Sequence, residues 1–495
     1  MTREPEKRTI KRSVITFPYQ SVHLMGIGGA GMSPLAHLLL RSGVRVSGCD
    51  YQDSEVLHRL RADGADVQVG HCPSHINGQD ALIISSAIKE ENHERQAAVK
   101  RGIPVLHRVD VLALLMEPFF RIAVAGSHGK TTTTAMLGFV LEGCGLDPLV
   151  VVGADCLNWG RSYRFGAGSW FVTEADESDR SFLRLSPDIA VITNIELDHP
   201  NGYKDLDDIK NAFLHFLQRV RPGGTIIFNG LCPNARALLP HCPKEVRTLT
   251  FGRQEDDLWL EQVSWLKDGR WTARLQSPDG EIGFLEVRMP GAHNLVNAGL
   301  AVAAAFASGA EKEGVLRSLQ NFLGVKRRLE IVSLARRIIL IDDYAHHPTE
   351  IRASIEALQR TFEPKRLWLI FQPHRYSRTE RFLKELSASL ADADGVWLTD
   401  IYPADEVIRT DISSTHLIAQ CAEQGIGPIY YRRKDQWEQM IEEIGRKAQE
   451  GDLVVVMGAG DISRIVPKLR DRLSKPSADR DEGKASDPQA SADGG

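Results

Sequence analysis

The sequence predicts an α/β protein of three doubly wound units in series. Three observations carry that reading. The 495 residues exceed what one hydrophobic core organises, because domains usually run to about 100 to 200 residues. Short apolar runs alternate with amphipathic helical patterns, the rhythm of βαβ units on a parallel sheet. That rhythm restarts at RIAVAG, from Arg121, and again at RIILIDDY, from Arg337.

Residues 1–19 are polar and read as a flexible arm; its basic residues Lys7, Arg8, Lys11 and Arg12 lack apolar anchors. The first unit, 20–119, runs VHLMGI then PLAHLLLRSG, RVSGCD then EVLHRLRADG, and ALIISSA then ERQAAVKRG. A break falls near Pro118 to Arg121. The second unit, 120–328, opens on RIAVAG and KTTTTAMLGFVLEGCG and continues through WFVTEAD and IAVITNI. From Thr248 to Val287, polar and apolar residues alternate around the turn signals Asp268-Gly269 and Asp279-Gly280, which predicts a small antiparallel insertion. A second break falls near Val325 to Glu330. The third unit, 329–473, carries RIILIDDY, LWLIFQP, GVWLTDIY and DLVVVMGAG. Residues 474–495 have no large apolar side chain and read as a disordered tail.

Composition narrows the function classes. Hydrophobic residues make up 42% and charged residues 25%, which excludes wholesale disorder and a membrane bundle. A net charge of -5 gives no global attraction to nucleic acid or anionic lipid, although a local basic pocket stays open. Seven scattered cysteines without a C-x-x-C pair argue against a disulfide framework or zinc site and for a reducing cytosol. No apolar h-region opens the chain and no run approaches about 18 apolar residues, so nothing argues for export or membrane insertion.

Two glycine loops carry the clearest chemistry. Gly26-Ile27-Gly28-Gly29-Ala30-Gly31 joins a strand to a helix, where small residues let backbone N–H groups approach a pyrophosphate. Asp50 ends the next strand, placed to face a ribose. This pattern alone does not separate NAD from a UDP-sugar, nor either from close helix packing. Gly126-Ser127-His128-Gly129-Lys130-Thr131-Thr132 also joins strand to helix. Val124 stands where the usual phosphate loop has its first glycine, but the glycine nest, a lysine for β- and γ-phosphates and a hydroxyl for Mg²⁺ are all present.

Further polar groups stand at the ends of apolar strands, where open parallel sheets bind ligands: Glu174 and Asp176, then Asn194, Glu196, Asp198 and His199. Asn294 and Asn297 share a helical face and could pair with an adenine edge or cap the helix. Arg327 and Arg328 sit at the second break, as a phosphate clamp or a solvated charge run. Asp343, Tyr344, His346 and His347 follow one strand of the third unit, and His374, Arg375 and Arg378 another. The two adjacent histidines suggest substrate contact rather than a metal.

Taken together, GIGGAGMS, GSHGKTTTT, TEADESD, NIELDH, HNLVNA, GVKRRLE, DDYAHHPTE, FQPHRYSRT, DIYPA and MGAGD resemble the Mur ligase family over about residues 20–470. The resemblance implies a Rossmann-like N-terminal domain for the UDP-sugar, a central P-loop ATPase domain and a Rossmann-like C-terminal domain for the amino acid. It implies a cytoplasmic ligase of peptidoglycan precursor synthesis, monomeric or weakly dimeric, that uses ATP and Mg²⁺ to join L-alanine to the lactyl carboxylate of UDP-N-acetylmuramate through an acyl phosphate. By the same carry-over Gly26 to Gly31 grip the UDP pyrophosphate, Asp50 lies near uridine, and His71, Ser85 and Ser86 are sugar-side candidates. Residues 126 to 132 hold ATP; Thr131, Glu174 and His199 hold Mg²⁺; Asn294 and Asn297 lie beside adenine. Arg328 and Asp343 reach phosphate and ribose, and Lys130, Glu174, His199, Arg328 and His346 form the catalytic set. Tyr344, His346, Arg375 and Arg378 are the amino-acid candidates. The carbamylated lysine common in the family is not expected in its alanine-adding branch, and Pro34 departs from the family's small residue. The rivals are a tripeptide ligase of wall recycling, a non-catalytic nucleotide-sensing module and a dehydrogenase.

Overall fold

The computed structural model describes residues 16–199, 202–266, 269–335 and 337–475. The predicted arm and tail lie outside the described residues except for 16–19 and 474–475. The chain divides between Lys326 and Arg327, inside the predicted second break.

The first of the two resulting units spans the first and second predicted ones and holds two sheets. The N-terminal one consists of β1 (Ser21–Met25), β2 (Arg45–Asp50), β3 (Asp66–Val69), β4 (Ala81–Ile84) and β5 (Val105–His107), all parallel in the order β3-β2-β1-β4-β5. Strand order reverses beside β1, so the loop after β1 opens at the switch point where such sheets take ligands. Four helices accompany it: α1 (Met32–Arg41), α2 (Glu55–Ala62), α3 (His93–Lys100) and α4 (Arg108–Met116). The two-residue alternation of a strand divides β1 between faces. Val22 and Leu24 pack in a cluster with Leu35, Leu38 and Leu39 of α1, while Met25 joins Cys49, Leu82, Ile84 and Ala98 of α3 on the opposite face. Pro34 lies in the first turn of α1, where its missing N–H has no intrahelical partner to lose.

The central sheet contains β6 (Phe120–Ala125), β7 (Leu149–Cys156), β8 (Arg161–Arg164), β9 (Trp170–Ala175), β10 (Ile189–Ile192), β11 (Thr225–Asn229), β12 (Arg247–Gly252), β13 (Leu258–Leu266), β14 (Arg270–Ser277) and β15 (Gly280–Val287). Their order is β15-β14-β13-β12-β11-β10-β6-β9-β7-β8. The body is parallel apart from the edge pair β7 with β8, and β13, β14 and β15 form the predicted antiparallel insertion, continuing the same sheet through a short parallel pairing of β12 with β13. Ile122 and Val124 of β6 pack in one cluster with α5 (Lys130–Gly143) and the helix Ala292–Ala307; Ala123 and Ala125 face the other way, into the cluster that also holds α1 and α4. The N-terminal and central domains therefore share apolar packing.

The second unit is one sheet of β16 (Glu330–Ala335), β17 (Ile338–Asp343), β18 (Leu367–Phe371), β19 (Gly395–Leu398), β20 (Ile429–Tyr431) and β21 (Leu453–Met457), ordered β16-β17-β21-β18-β19-β20. All pairings are parallel except β16 with β17. Its strands β17, β18, β19 and β21 are apolar on both faces, as a sheet covered on both sides requires, while the edge strand β16 exposes Ile331 and Leu334. Among the described residues no helix is long and apolar enough to cross a membrane.

Candidate active site

The loop after β1 turns at Gly26, whose φ of +66° suits glycine, and ends at Gly31, the N-cap of α1, with no side-chain cap. No side chain caps α1, but Met32 and Ser33 N–H donate to Gly29 O at 3.0 and 2.9 Å and Pro34 has no N–H, so donors for an anion here come from the loop rather than from the first turn of the helix. Asp50 accepts from Gly28 N–H at 2.9 Å and from Tyr51 N–H at 2.8 Å, so it holds the loop as well as facing its rim. A side chain at Gly28 would meet Leu57 Cδ1 at 2.6 Å, and one at Gly31 would meet Arg108 Nη1 at 2.7 Å. Ile27 is fully buried and packs against Gly48, so it anchors the loop rather than offering a side chain to a ligand.

The sugar-side candidates separate. Ser86 donates to Asp179 and lies 2.9 Å from His107 Nε2, at the junction with the central domain. Ser85 accepts a turn hydrogen bond from Ile88 N–H through its carbonyl. His71 turns inward: its Nδ1 is 2.9 Å from Glu94 Oε2 and 3.0 Å from Cys49 Sγ.

The loop after β6 is built differently. Gly126 has φ +144° and Gly129, the N-cap of α5, has φ +79°. A Cβ on Gly126 would overlap Thr193 Oγ1, and one on Gly129 would meet Asn297 Oδ1 at 2.6 Å. Side chains and backbone after β10 pin the loop: Thr193 Oγ1 and Asn194 Nδ2 donate to His128 O at 2.6 and 3.0 Å, His128 N–H donates to Asn194 Oδ1 at 2.8 Å, and Ser127 Oγ accepts from Glu196 N–H at 2.9 Å. Asn294 does not cap its helix; its amide donates to Pro290 O at 2.7 Å and its carbonyl accepts from Asn297 Nδ2 at 3.0 Å, leaving Asn297 against Gly129. Thr132 is buried within the first turn of α5.

Lys130 Nζ donates to Gly126 O at 2.6 Å and to both oxygens of Glu177, at 3.0 and 2.7 Å. Burial works against the ammonium charge, but Glu177, Asp176 and Glu174 outweigh it and hold the Lys130 pKa above the ordinary lysine value. Thr131 Oγ1 donates to Glu174 Oε2 at 3.0 Å, and Gly153 N–H donates to the other carboxylate oxygen. His199, at φ +54°, places Nε2 3.1 Å from Glu177 Oε1. Burial lowers its pKa, but Glu177 and Asp198 more than compensate and raise it. Glu177 was not among the sequence candidates, yet it is almost fully buried and joins Lys130 to His199. Arg108, also unforeseen, stands between the first loop and the acidic run after β9: beside Gly31 on one side and 3.5 Å from Asp176 on the other.

In the second unit Tyr344 carries Arg327 and Arg328 over its ring, at 4.9 and 4.7 Å from the centroid. Arg327 also donates to Gly458 O and Gly460 O, tying down the MGAGD loop. Asp343 accepts from Ser354 Oγ and from Leu329 N–H, and burial raises its pKa. His346 Nδ1 is 2.9 Å from Tyr344 O, and its ring lies 5.5 Å from that of His374, which stacks on Tyr402. Arg378 is buried with Nη1 3.0 Å from His374 Nδ1, while Arg375 is ion-paired to Asp405 at 2.6 Å. The amino-acid candidates therefore gather around His374 and Tyr402, which follow β18 and β19.

Comparison with known proteins covers the same ground. The family model described as Mur ligase family, catalytic domain, matches residues 21–120; Mur ligase middle domain matches 124–305; and Mur ligase, glutamate ligase domain, matches 327–460. The chain is 39% identical over 455 residues to UDP-N-acetylmuramate–L-alanine ligase of Acidobacterium capsulatum, covering 92% of this chain and 98% of that one. It is 37% identical over 449 residues to the ligase of the same name from Syntrophobacter fumaroxidans, covering 90% and 95%. Among solved structures it matches UDP-N-acetylmuramate–alanine ligase of Thermotoga maritima with a TM-score of 0.77 at 28% identity, covering 92% and 99%. A murein peptide ligase of Psychrobacter arcticus matches with a TM-score of 0.71 at 25% identity and the same coverage.

Proposed function

The chain belongs to the Mur ligase family, and from that premise we propose that it joins L-alanine to the lactyl carboxylate of UDP-N-acetylmuramate with cleavage of ATP, in the cytoplasm, during peptidoglycan precursor synthesis. The observation that carries the reading is the pairing, within one unit, of two glycine loops that each follow a parallel strand and lead into a helix, with Arg108 beside the first of them and 3.5 Å from Asp176. One suits a UDP pyrophosphate and the other, with Lys130, a nucleoside triphosphate.

A carboxylate resists attack by an amine because oxide is a poor leaving group. Transfer of the γ-phosphoryl group of ATP to a carboxylate oxygen gives an acyl phosphate. The alanine amine then adds to the carbonyl carbon, and the tetrahedral intermediate collapses to the amide with loss of phosphate. Lys130 leaves Glu177 for the transferring phosphoryl group, whose spreading charge it offsets, while Gly126 to Gly129 orient the phosphates through backbone N–H groups. The oxygen donors Thr131 Oγ1 and Glu174 fit a hard divalent cation, and with a neutral His199 imidazole they would hold Mg²⁺, which would offset phosphate charge. In the second unit, Arg375 and Arg378 are assigned to the alanine carboxylate, with His346 and Tyr344 beside them.

Incubation with ATP, Mg²⁺, UDP-N-acetylmuramate and either L-alanine or the wall tripeptide, with phosphate and product mass read together, tests the assignment. Phosphate release and an alanyl product with L-alanine are expected. Turnover with the tripeptide at an equal rate would move the assignment to the recycling ligase.

A further inference from the structure

On the face of the N-terminal sheet covered by α3, beneath the first glycine loop, whose Ile27 N–H donates to Cys49 O at 3.1 Å, four side chains converge that the ligase mechanism does not use. They are His23 on β1, Cys49 on β2, His75 in the turn Pro73–His75 and Glu94 in the first turn of α3. One ligand atom from each lies within 4.8 Å of all the others. His23, Cys49 and Glu94 are buried and His75 is partly so. We propose that His23, Cys49, His75 and Glu94 form a binding site for a single four-coordinate divalent ion, Zn²⁺ by its donor set.

The hydrogen-bond inventory favours a cation here over a self-sufficient network. Glu94 accepts from Cys72 N–H at 2.9 Å and Cys49 Sγ at 3.1 Å, and its oxygens lie 2.9 Å from His71 Nδ1 and 2.6 Å from His75 Nδ1. A carboxylate can only accept, so the four hydrogens converging on it come from its neighbours. His23 is served differently. Ser47 Oγ donates to Val22 O at 3.2 Å and lies 2.9 Å from His23 Nδ1, which fixes the hydrogen on Nδ1 and leaves Nε2 with its lone pair. That Nε2 is buried without a hydrogen-bond partner among the described residues. An imidazole held through Nδ1–H by a hydroxyl, with Nε2 aimed into a buried cluster, has the arrangement of a metal ligand and its supporting partner.

Charge and chemistry agree with zinc. One thiolate and one carboxylate balance a dication, and two neutral imidazoles complete a tetrahedral set of S, O and N donors. Binding replaces the hydrogen between Cys49 Sγ and Glu94 with a Zn–S bond and releases that proton to solvent. The hydrogen between His75 Nδ1 and Glu94 is displaced to Nε2 of the same ring. His71 remains on Glu94, so the ion would also set the orientation of that imidazole.

The test uses the full-length protein and is independent of ligase turnover. Wild type and Cys49→Ser are loaded with Zn²⁺ or Co²⁺ without nucleotide, dialysed against a weak chelator and measured for metal content and absorption. About one zinc per chain and a near-ultraviolet thiolate-to-cobalt band are expected for wild type, with both lost in Cys49→Ser. His75→Ala, at a partly exposed position, serves as the second variant and is expected to reduce metal content to the same extent while keeping the fold. Equal metal content in wild type and both variants, or a cobalt spectrum without a thiolate band, would overturn the proposal and leave the cluster as a hydrogen-bond network.

Discussion

The two glycine loops of the first unit share a plan, a parallel strand followed by small residues and an uncapped helix N-terminus, but they are held in different ways. The loop at Gly26 to Gly31 is gripped by one carboxylate, Asp50, through Gly28 N–H. The loop at Gly126 to Gly129 is braced by Thr193, Asn194, Ser127 and Asn297, and its lysine is already paired with Glu177. The difference follows from the task. A pyrophosphate that is only bound needs backbone donors, whereas a phosphoryl group that is transferred needs donors fixed before the charge develops. Glu177 keeps Lys130 charged and in place, and in the proposed mechanism phosphate replaces it.

Substitutions can break or sharpen this contrast. The largest expected effect is Lys130→Met, which removes the charge that meets the phosphoryl group and should lower kcat by about 10³-fold while the KM for UDP-N-acetylmuramate stays unchanged. Gly126→Ala comes next. Its Cβ has no room beside Thr193, so the loop must shift, and steady-state rates should fall by about 10²-fold with a raised KM for ATP. Arg108→Ala should raise the KM for UDP-N-acetylmuramate by about tenfold and lower kcat by less, because the guanidinium stands beside Gly31 of the first loop. The smallest effect is Asp50→Ala, a rise of about fivefold in the KM for UDP-N-acetylmuramate at constant kcat. If Asp50→Ala damaged kcat as strongly as Lys130→Met, the two loops would not divide binding from chemistry.

The backbone of both loops was legible because glycines, apolar strands and helix starts leave local marks. Lys130 and Thr131 were legible because they follow the glycines of the loop after β6 and open a helix, and Glu174 because it stands at the end of the apolar strand β9. Glu177 was not, since it lies in the run Asp176-Glu177-Ser178-Asp179, where an acid that is almost fully buried looks like its solvated neighbours. Arg108 was hidden at the start of an apolar helix. Most hidden was the His23, Cys49, His75 and Glu94 cluster, because counting C-x-x-C pairs finds only ligands close in sequence. The parallel register that sets His23 beside Ser47 and Met25 beside Cys49 puts both donors on one face, and that register is a property of the sheet rather than of either segment.

Oxygen transfer tests the proposed chemistry most directly. With ¹⁸O in the lactyl carboxylate of UDP-N-acetylmuramate, attack of that carboxylate on the γ-phosphorus makes one of its oxygens the bridge of the acyl phosphate, and amide formation expels it with phosphorus. Inorganic phosphate released in the presence of L-alanine should therefore carry one ¹⁸O from the substrate. Alanine-dependent release of phosphate without label would contradict the acyl-phosphate route.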